Sequence, residues 1–314
     1  MTAVRESVLL YLEHLDVVDA FDACCTLVPR SSIGDLSAYA RGDGRGVRAV
    51  ITAGGAPMEE AVWDFPDLGL IACLGAGYDG IDVERARRRG VRVTVGRGVN
   101  DEDVADMALG LLLATVRQIP LADRMVRDGA WKGGLLLPMV PSLSRMRCGI
   151  VGLGAIGNAI GRRLAGFGSA ISWWGPRDKP DAPWPRASSL QHLARDCDAL
   201  IVAAPATAET QGIIDARILE ALGSRGYLVN ISRGSLVDEQ ALLMALEMGG
   251  IAGAGLDVFV DEPHDGTRWR HIDSLVMTPH VGAWAERAMA EAKYRCAENI
   301  AAFLHGEPLP SAIV

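Results

Sequence analysis

The stretch CGIVGLGAIGNAIGRRLAGFG, residues 148–168, decides how the chain is read. Its first part is a short apolar run ending in glycine. Its second part is amphipathic at helical spacing, so the whole reads as a strand, a tight turn and a helix. Gly152, Gly154 and Gly157 stand in the turn as GxGxxG. A bare match to that pattern is weak, but in a strand–turn–helix context it points to a dinucleotide. Gly152 allows the tight turn, Gly154 lets the backbone approach a pyrophosphate, and Gly157 lets the helix lie on the strand. The first helical amides, near Ala155 and Ile156, then present donors to phosphate oxygens.

The next strand ends Trp173-Trp174-Gly175, where a dinucleotide-binding chain usually carries an acid for the adenosine ribose. No carboxylate stands there. Gly175 leaves room, Pro176 follows, and Arg177 and Lys179 can give charge-assisted bonds to a 2′-phosphate. NADPH is therefore favoured over NADH. The alternative is a solvated turn in which Asp178 holds the ribose, and it would leave NADH possible.

On both sides of this stretch, short apolar runs bounded by glycine alternate with helical patterns. Upstream, VRAVITAG (47–54), LGLIACLG (68–75) and GVRVTVG (90–96) read as buried strands; APMEEAVWDFP and DVERARRRG between them read as helices. A long helix is predicted from Asn100 through NDEDVADMALGLLLATVRQ, bent or divided at Pro120. Lys132 to Ser144 reads as an irregular connection or arm. Downstream, strands are predicted at AISWW (170–174), ALIVAAP (199–205), YLVNIS (227–232), AGAGLDV (252–258) and LVMTPH (275–280), before a last helix WAERAMAEAKYRCAENIAAFLHG. Such alternation favours parallel sheets covered on both faces.

Composition narrows the function. With 314 residues the chain can hold two domains, and a net charge of −8 argues against a generally basic nucleic-acid surface. Cys24, Cys25, Cys73, Cys148, Cys197 and Cys296 form no CxxC pair and mostly sit in apolar runs, so buried reduced thiols are expected, with no metal site and no disulfide framework. MTAVRESVLLYLEHLD carries acids inside its apolar pattern and does not read as a signal peptide, and no apolar run is long enough to span a membrane. The reading is a cytoplasmic enzyme.

Three separated pieces, VNISRGSLVDEQAL, GLDVFVDEP and MTPHVGAWAE, carry the chemistry. Together with LGAGYDGIDV (74–83), the helix from Asn100 and the glycine turn, they make the chain resemble the D-isomer-specific 2-hydroxyacid dehydrogenases, nearest to the glyoxylate, hydroxypyruvate and hydroxyphenylpyruvate reductase branch. The resemblance runs from about Val47 to the C-terminus. It implies a catalytic triad of Arg233, Glu262 and His280. Arg233 would fork onto the oxygens of a 2-oxo acid. His280 would give a proton to the carbonyl oxygen as hydride reaches the carbon. Glu262 would hold the imidazole and favour its protonated form.

The resemblance also implies that the amides of Ala76 and Gly77 bind the substrate carboxylate and that Asp257 holds the nicotinamide carboxamide. Trp174, Ala204, Pro205, Thr210, Ile231, Ser232, Arg233, His280 and Gly282 would line the cofactor cleft. Two departures stand out: Trp284 replaces a small residue after the His-x-Gly step and either narrows the substrate pocket or packs against another domain, and APATAET replaces a usual Leu-Thr form. Arg97 reads as a surface charge, and His14, His192, His264, His271 and His305 as solvated or structural. The implied architecture is two Rossmann-like, doubly wound parallel-sheet α/β domains with an interdomain cleft. Residues 1–98 plus 284–314 would form the substrate domain and 99–283 the dinucleotide domain. The implied protein is a homodimer, with LLLPMVP (135–141) as an apolar arm, and it reduces a small 2-oxo acid to a 2-hydroxy acid. An NAD-linked dehydrogenase of another D-2-hydroxy acid, or a dinucleotide-sensing corepressor on the same fold, are the alternatives.

Overall fold

The computed structural model describes residues 6–12, 21, 25–134 and 137–314. The chain divides into two compact units, 1–100 with 285–314, and 101–284. Val99 is buried with the core of the first unit, so the first crossing falls just after it rather than at 98.

The first unit is built on five parallel strands in the order β2-β1-β3-β4-β5: β1 (Ser7–Leu10), β2 (Thr26–Pro29), β3 (Val47–Thr52), β4 (Leu70–Cys73) and β5 (Arg92–Thr94). Alternate strand residues feed two cores. Leu9, Val50 and Ile71 pack with Leu36, Trp63 and Ala86 on one face; Val8, Ile51 and Ala72 pack with Ala292, Cys296 and Ile300 of the last helix on the other. Burial on both faces explains strands that are apolar throughout. Helix Leu36–Arg41 starts where Asp35 accepts from the Ala38 amide at 2.9 Å. Helix Val83–Arg89 starts in the same way at Asp82, carries its arginines in the last turn and stops at left-handed Gly90.

Several elements differ from expectation. The segment APMEEAVWDFP forms only a 3-10 turn, Glu60–Asp64, held by buried Val62 and Trp63. β1 and β2 came without a clear sequence signal, and of the residues linking them 13–20 and 22–24, with Cys24 and His14, lie outside the described residues. The C-terminal tail adds a further antiparallel neighbour to β5: the Val95 amide donates to the Ser311 carbonyl and the Ile313 amide to the Val93 carbonyl, on either side of a Thr94–Ala312 bridge. Asn299, 1 % exposed, fastens that tail by accepting from the Ser311 amide and donating to the Ser311 hydroxyl.

The second unit is a six-stranded parallel sheet in the order β11-β10-β9-β8-β6-β7. The strands are β6 (Arg147–Val151), β7 (Ala170–Trp174), β8 (Ala199–Val202), β9 (Tyr227–Asn230), β10 (Gly253–Leu256) and β11 (Leu275–Met277). One face is covered by helices Asp101–Val116 and Ala155–Gly166, the other by Leu190–Asp196, Ala216–Leu222 and Glu239–Glu247. The division expected at Pro120 occurs at Gln118, whose backbone is left-handed. Pro120 opens the next helix, Ile119–Arg127, at a bend of 60°. Among the described residues no single helix is long and apolar enough to cross a membrane.

Candidate active site

Because all six strands of the second sheet are parallel, their carboxyl ends share one edge, and every loop carrying a sequence-predicted residue of this unit leaves from that edge. β6 is the switch point, with β7 on one side and β8 on the other, where doubly wound sheets open a crevice.

The glycine turn follows β6, and its three glycines act for separate reasons. Gly152 has φ +92°, and a Cβ there would lie 2.7 Å from the Ala204 Cα. At Gly157 a Cβ would collide with the Gly152 carbonyl. At Gly154 a Cβ would meet nothing within 4 Å, so the backbone faces open space. Helix Ala155–Gly166 begins there with no side-chain cap, whereas Ser189, Asp215 and Asp238 cap the helices that follow. Its first amides at Ala155 and Ile156 are thus left for an external acceptor. An open backbone cradle before an uncapped helix start fits a dinucleotide pyrophosphate.

At the end of β7, Trp173 is buried and Trp174 half-buried. Gly175 is buried, while Pro176, Arg177, Asp178 and Lys179 are exposed. Asp178 accepts from the Lys179 amide at 2.9 Å, and the Lys179 ammonium reaches the Leu153 carbonyl inside the glycine turn. A third cation stands here that the motif did not reveal. Arg186 donates twice to the Gly175 carbonyl, at 2.7 and 3.2 Å, and lies over the Trp173 ring. It returns because residues 184–187 run beside β7.

After β8, Ala204 is buried and accepts from the Ser232 hydroxyl. Thr210 turns its hydroxyl to the Pro205 carbonyl at 2.8 Å and accepts from the Thr207 amide, so it shapes its own loop. After β9, buried Asn230 takes the Ser232 amide and donates to the Arg233 carbonyl at 2.9 Å. That bracket holds Arg233 in extended backbone, with Ile231 packed in the core.

After β10 and β11, Glu262 and His280 meet: Nδ1 lies 2.6 Å from Oε2. The Phe259 amide donates to the other carboxylate oxygen at 2.9 Å. Partial burial pushes the Glu262 carboxyl up. The hydrogen bonds from His280 and Phe259, with the charges of His280 and Arg233, outweigh it and hold the group below the usual glutamate range. The Arg233 charge is thereby felt at Glu262. His280 itself has φ +53°, uncommon for a residue with a Cβ.

Asp257, expected on a nicotinamide carboxamide, is 1 % exposed and engaged with its own chain. It accepts from the Thr278 hydroxyl at 2.6 Å and from the Val281 and Gly282 amides at 2.9 and 2.8 Å, clamping the His280 loop. His264 stacks on Phe259 at 4.7 Å; His192 and His271 pair with Asp196 and Glu247. Trp284 is 61 % exposed. Ala76 and Gly77 belong to the first unit, on the loop after β4. A Cβ at Gly54 would collide with the Gly77 carbonyl, and the Gly80 amide donates to the Gly54 carbonyl, so this loop is closely packed and its small residues are required. Arg97 is exposed.

Buried Cys73, Cys148 and Cys197 have thiols pushed up to about 12, chiefly by desolvation, and take no part in nucleophilic chemistry at neutral pH.

Residues 109–282 match the family model for the D-isomer specific 2-hydroxyacid dehydrogenase, NAD binding domain. The chain is 36% identical over 269 residues to glyoxylate/hydroxypyruvate reductase A of Arabidopsis thaliana, spanning 85% of this chain and 86% of that one. It is 34% identical to 2-ketogluconate reductase of Gluconobacter oxydans, over 92% of both chains. Its fold superposes with a TM-score of 0.90 on an NADPH-dependent glyoxylate/hydroxypyruvate reductase from Sinorhizobium meliloti, solved with NADP and malonate. That chain is 34% identical, and the match spans 99% of this chain and 97% of that one.

Proposed function

The chain belongs to the D-isomer-specific 2-hydroxyacid dehydrogenase family, and on that premise we propose that it reduces a small 2-oxo acid of the glyoxylate or hydroxypyruvate type to the D-2-hydroxy acid, with NADPH as the preferred donor. The observation that carries this reading is the 2.6 Å contact of His280 with Glu262, with the Arg233 charge felt at that carboxylate. A nicotinamide dinucleotide would supply the hydride. Unit 101–284 is assigned to the dinucleotide and unit 1–100 with 285–314 to substrate recognition.

The roles follow from the donors available. The Arg233 guanidinium takes carboxylate and carbonyl oxygens of the acid, which stabilises the charge that develops on the carbonyl oxygen. His280, with Nδ1 on Glu262, presents Nε2 as the proton donor to that oxygen. Glu262 fixes the ring and its orientation. Ala76 and Gly77 are assigned to the substrate carboxylate, and Trp284 to the rim of the substrate side. Preference for NADPH is supported by the missing carboxylate at Gly175 and by Arg177, Lys179 and Arg186 around it. A homodimer is proposed through the exposed apolar side chains of helix Ile119–Arg127 and Trp131.

A panel of 2-oxo acids assayed with NADPH tests the function. Glyoxylate or hydroxypyruvate should be turned over, and His280→Ala should lower kcat by about 10²- to 10⁴-fold. Undiminished turnover by that variant, or no 2-oxo acid accepted at all, would sink the reading.

A further inference from the structure

We propose that Glu239 is a positioning residue for this reaction: by holding the Val260 amide it fixes the Phe259–Glu262 turn that keeps Glu262 on the His280 ring. The inference rests on the roles given above to Glu262 and His280.

Glu239 is 9 % exposed and sits in the first turn of helix Glu239–Glu247. The capping role there is already filled, because Asp238 accepts from the Ala241 amide at 3.0 Å. The helix therefore does not need the Glu239 carboxylate, and burying one is unfavourable unless it is paired. Its partners lie elsewhere. One oxygen accepts from the Val260 amide at 2.7 Å. The other pairs with Arg268, whose guanidinium lies 4.7 Å over the Trp269 ring.

The Val260 amide is next to the one that Glu262 uses. Phe259 donates to Glu262 Oε1 at 2.9 Å, and Glu262 Oε2 meets the imidazole at 2.6 Å. Two consecutive amides of one turn are thus taken by two carboxylates, and only the Glu262 carboxylate touches His280. The same peptide presses on Gly234: a Cβ there would collide with the Phe259 carbonyl group and the Val260 nitrogen. Gly234 directly follows Arg233, so the Phe259–Val260 peptide ties the Arg233 loop to the Glu262 turn. Glu239 anchors that peptide from outside the reacting groups. Releasing it frees the turn while leaving all three site residues in the chain.

Steady-state kinetics and NADPH binding on Glu239→Ala and Glu239→Gln test this. Ala should lower kcat about 10- to 100-fold, the scale of a displacement near 1 Å at a reacting group. KM for the 2-oxo acid and Kd for NADPH should stay within about twofold, since ground-state binding is not what is lost. Gln keeps an acceptor for the Val260 amide and should recover most of the loss. Unchanged kcat in the Ala variant, a Gln variant as poor as Ala, or a loss confined to KM or NADPH binding would each overturn the role. If the Ala variant does not fold, Glu239→Asp keeps the charge but withdraws the acceptor by one methylene; full kcat there overturns the proposal and a reduced kcat supports it. The His280→Ala assay separates the layers: undiminished turnover in it removes the functional reading and this inference together, whereas a His280-dependent enzyme indifferent to Glu239 loses this inference alone.

Discussion

In the proposed preference for NADPH, Gly175 is the residue on which the choice of cofactor turns. A Cβ at this position would lie 3.4 Å from the Trp173 ring, close but accommodated by a small shift. Gly175→Asp should therefore fold, accept from the ribose hydroxyls and repel a 2′-phosphate. The NADPH-to-NADH ratio of kcat/KM should fall by about ten- to a hundredfold, the size of one hydrogen bond to a charged group. An unaltered ratio would mean that the end of β7 does not read the ribose. At this scale Arg233, Glu262 and His280 stood out through the resemblance of their three segments to the family, and the structure brings Glu262 onto His280. Asn230, Thr278, Glu239 and Arg186 did not stand out. Glu239 and Arg186 act on backbone groups of other loops, Thr278 on the Asp257 carboxylate and Asn230 on the Arg233 carbonyl, and pairings of this kind leave no pattern in the chain.

Elements announced themselves where burial is complete. β6, β8, β9 and β10 are apolar on both faces because both faces are covered. The edge of the first sheet was different. β2, at that edge, is only partly buried, and the tail beside β5 contains only a bridge, so neither leaves a fully apolar run. The tail is held chiefly by Asn299, a polar residue whose burial no pattern could foretell. Asn299→Ala leaves the Ser311 amide without its acceptor and should destabilise the first unit by about 1–3 kcal/mol. A lower midpoint of thermal unfolding together with faster amide exchange at Val95 and Ile313 would check it; protection unchanged at both amides would refute it.

For the whole molecule, the doubling of the α/β plan was legible, but the strand orders were not, since they depend on which way each crossover turns. Association also belongs to this scale. Helix Ile119–Arg127 buries none of its side chains, and Ile119, Val126, Trp131 and Met139 are 51%, 57%, 66% and 100% exposed. Leu135 and Leu136 of the expected arm lie outside the described residues. This apolar surface is what the proposed homodimer would cover. Sedimentation velocity should give twice the 33.4 kDa chain mass, and Val126→Asp combined with Trp131→Lys should return the monomer. A natural protein that sediments as a monomer at tens of micromolar, on the order used for such runs, would reject the homodimer.

The left-handed backbone at His280 bears on the choice of an inert variant for trapping a ternary complex. Alanine tolerates that geometry poorly, whereas asparagine adopts it several times more readily than most residues and still offers an amide toward Glu262. His280→Asn is accordingly the reagent for co-crystals: a silenced protein whose loop keeps its native path, so that keto acid and dinucleotide can be soaked in together and photographed before anything reacts.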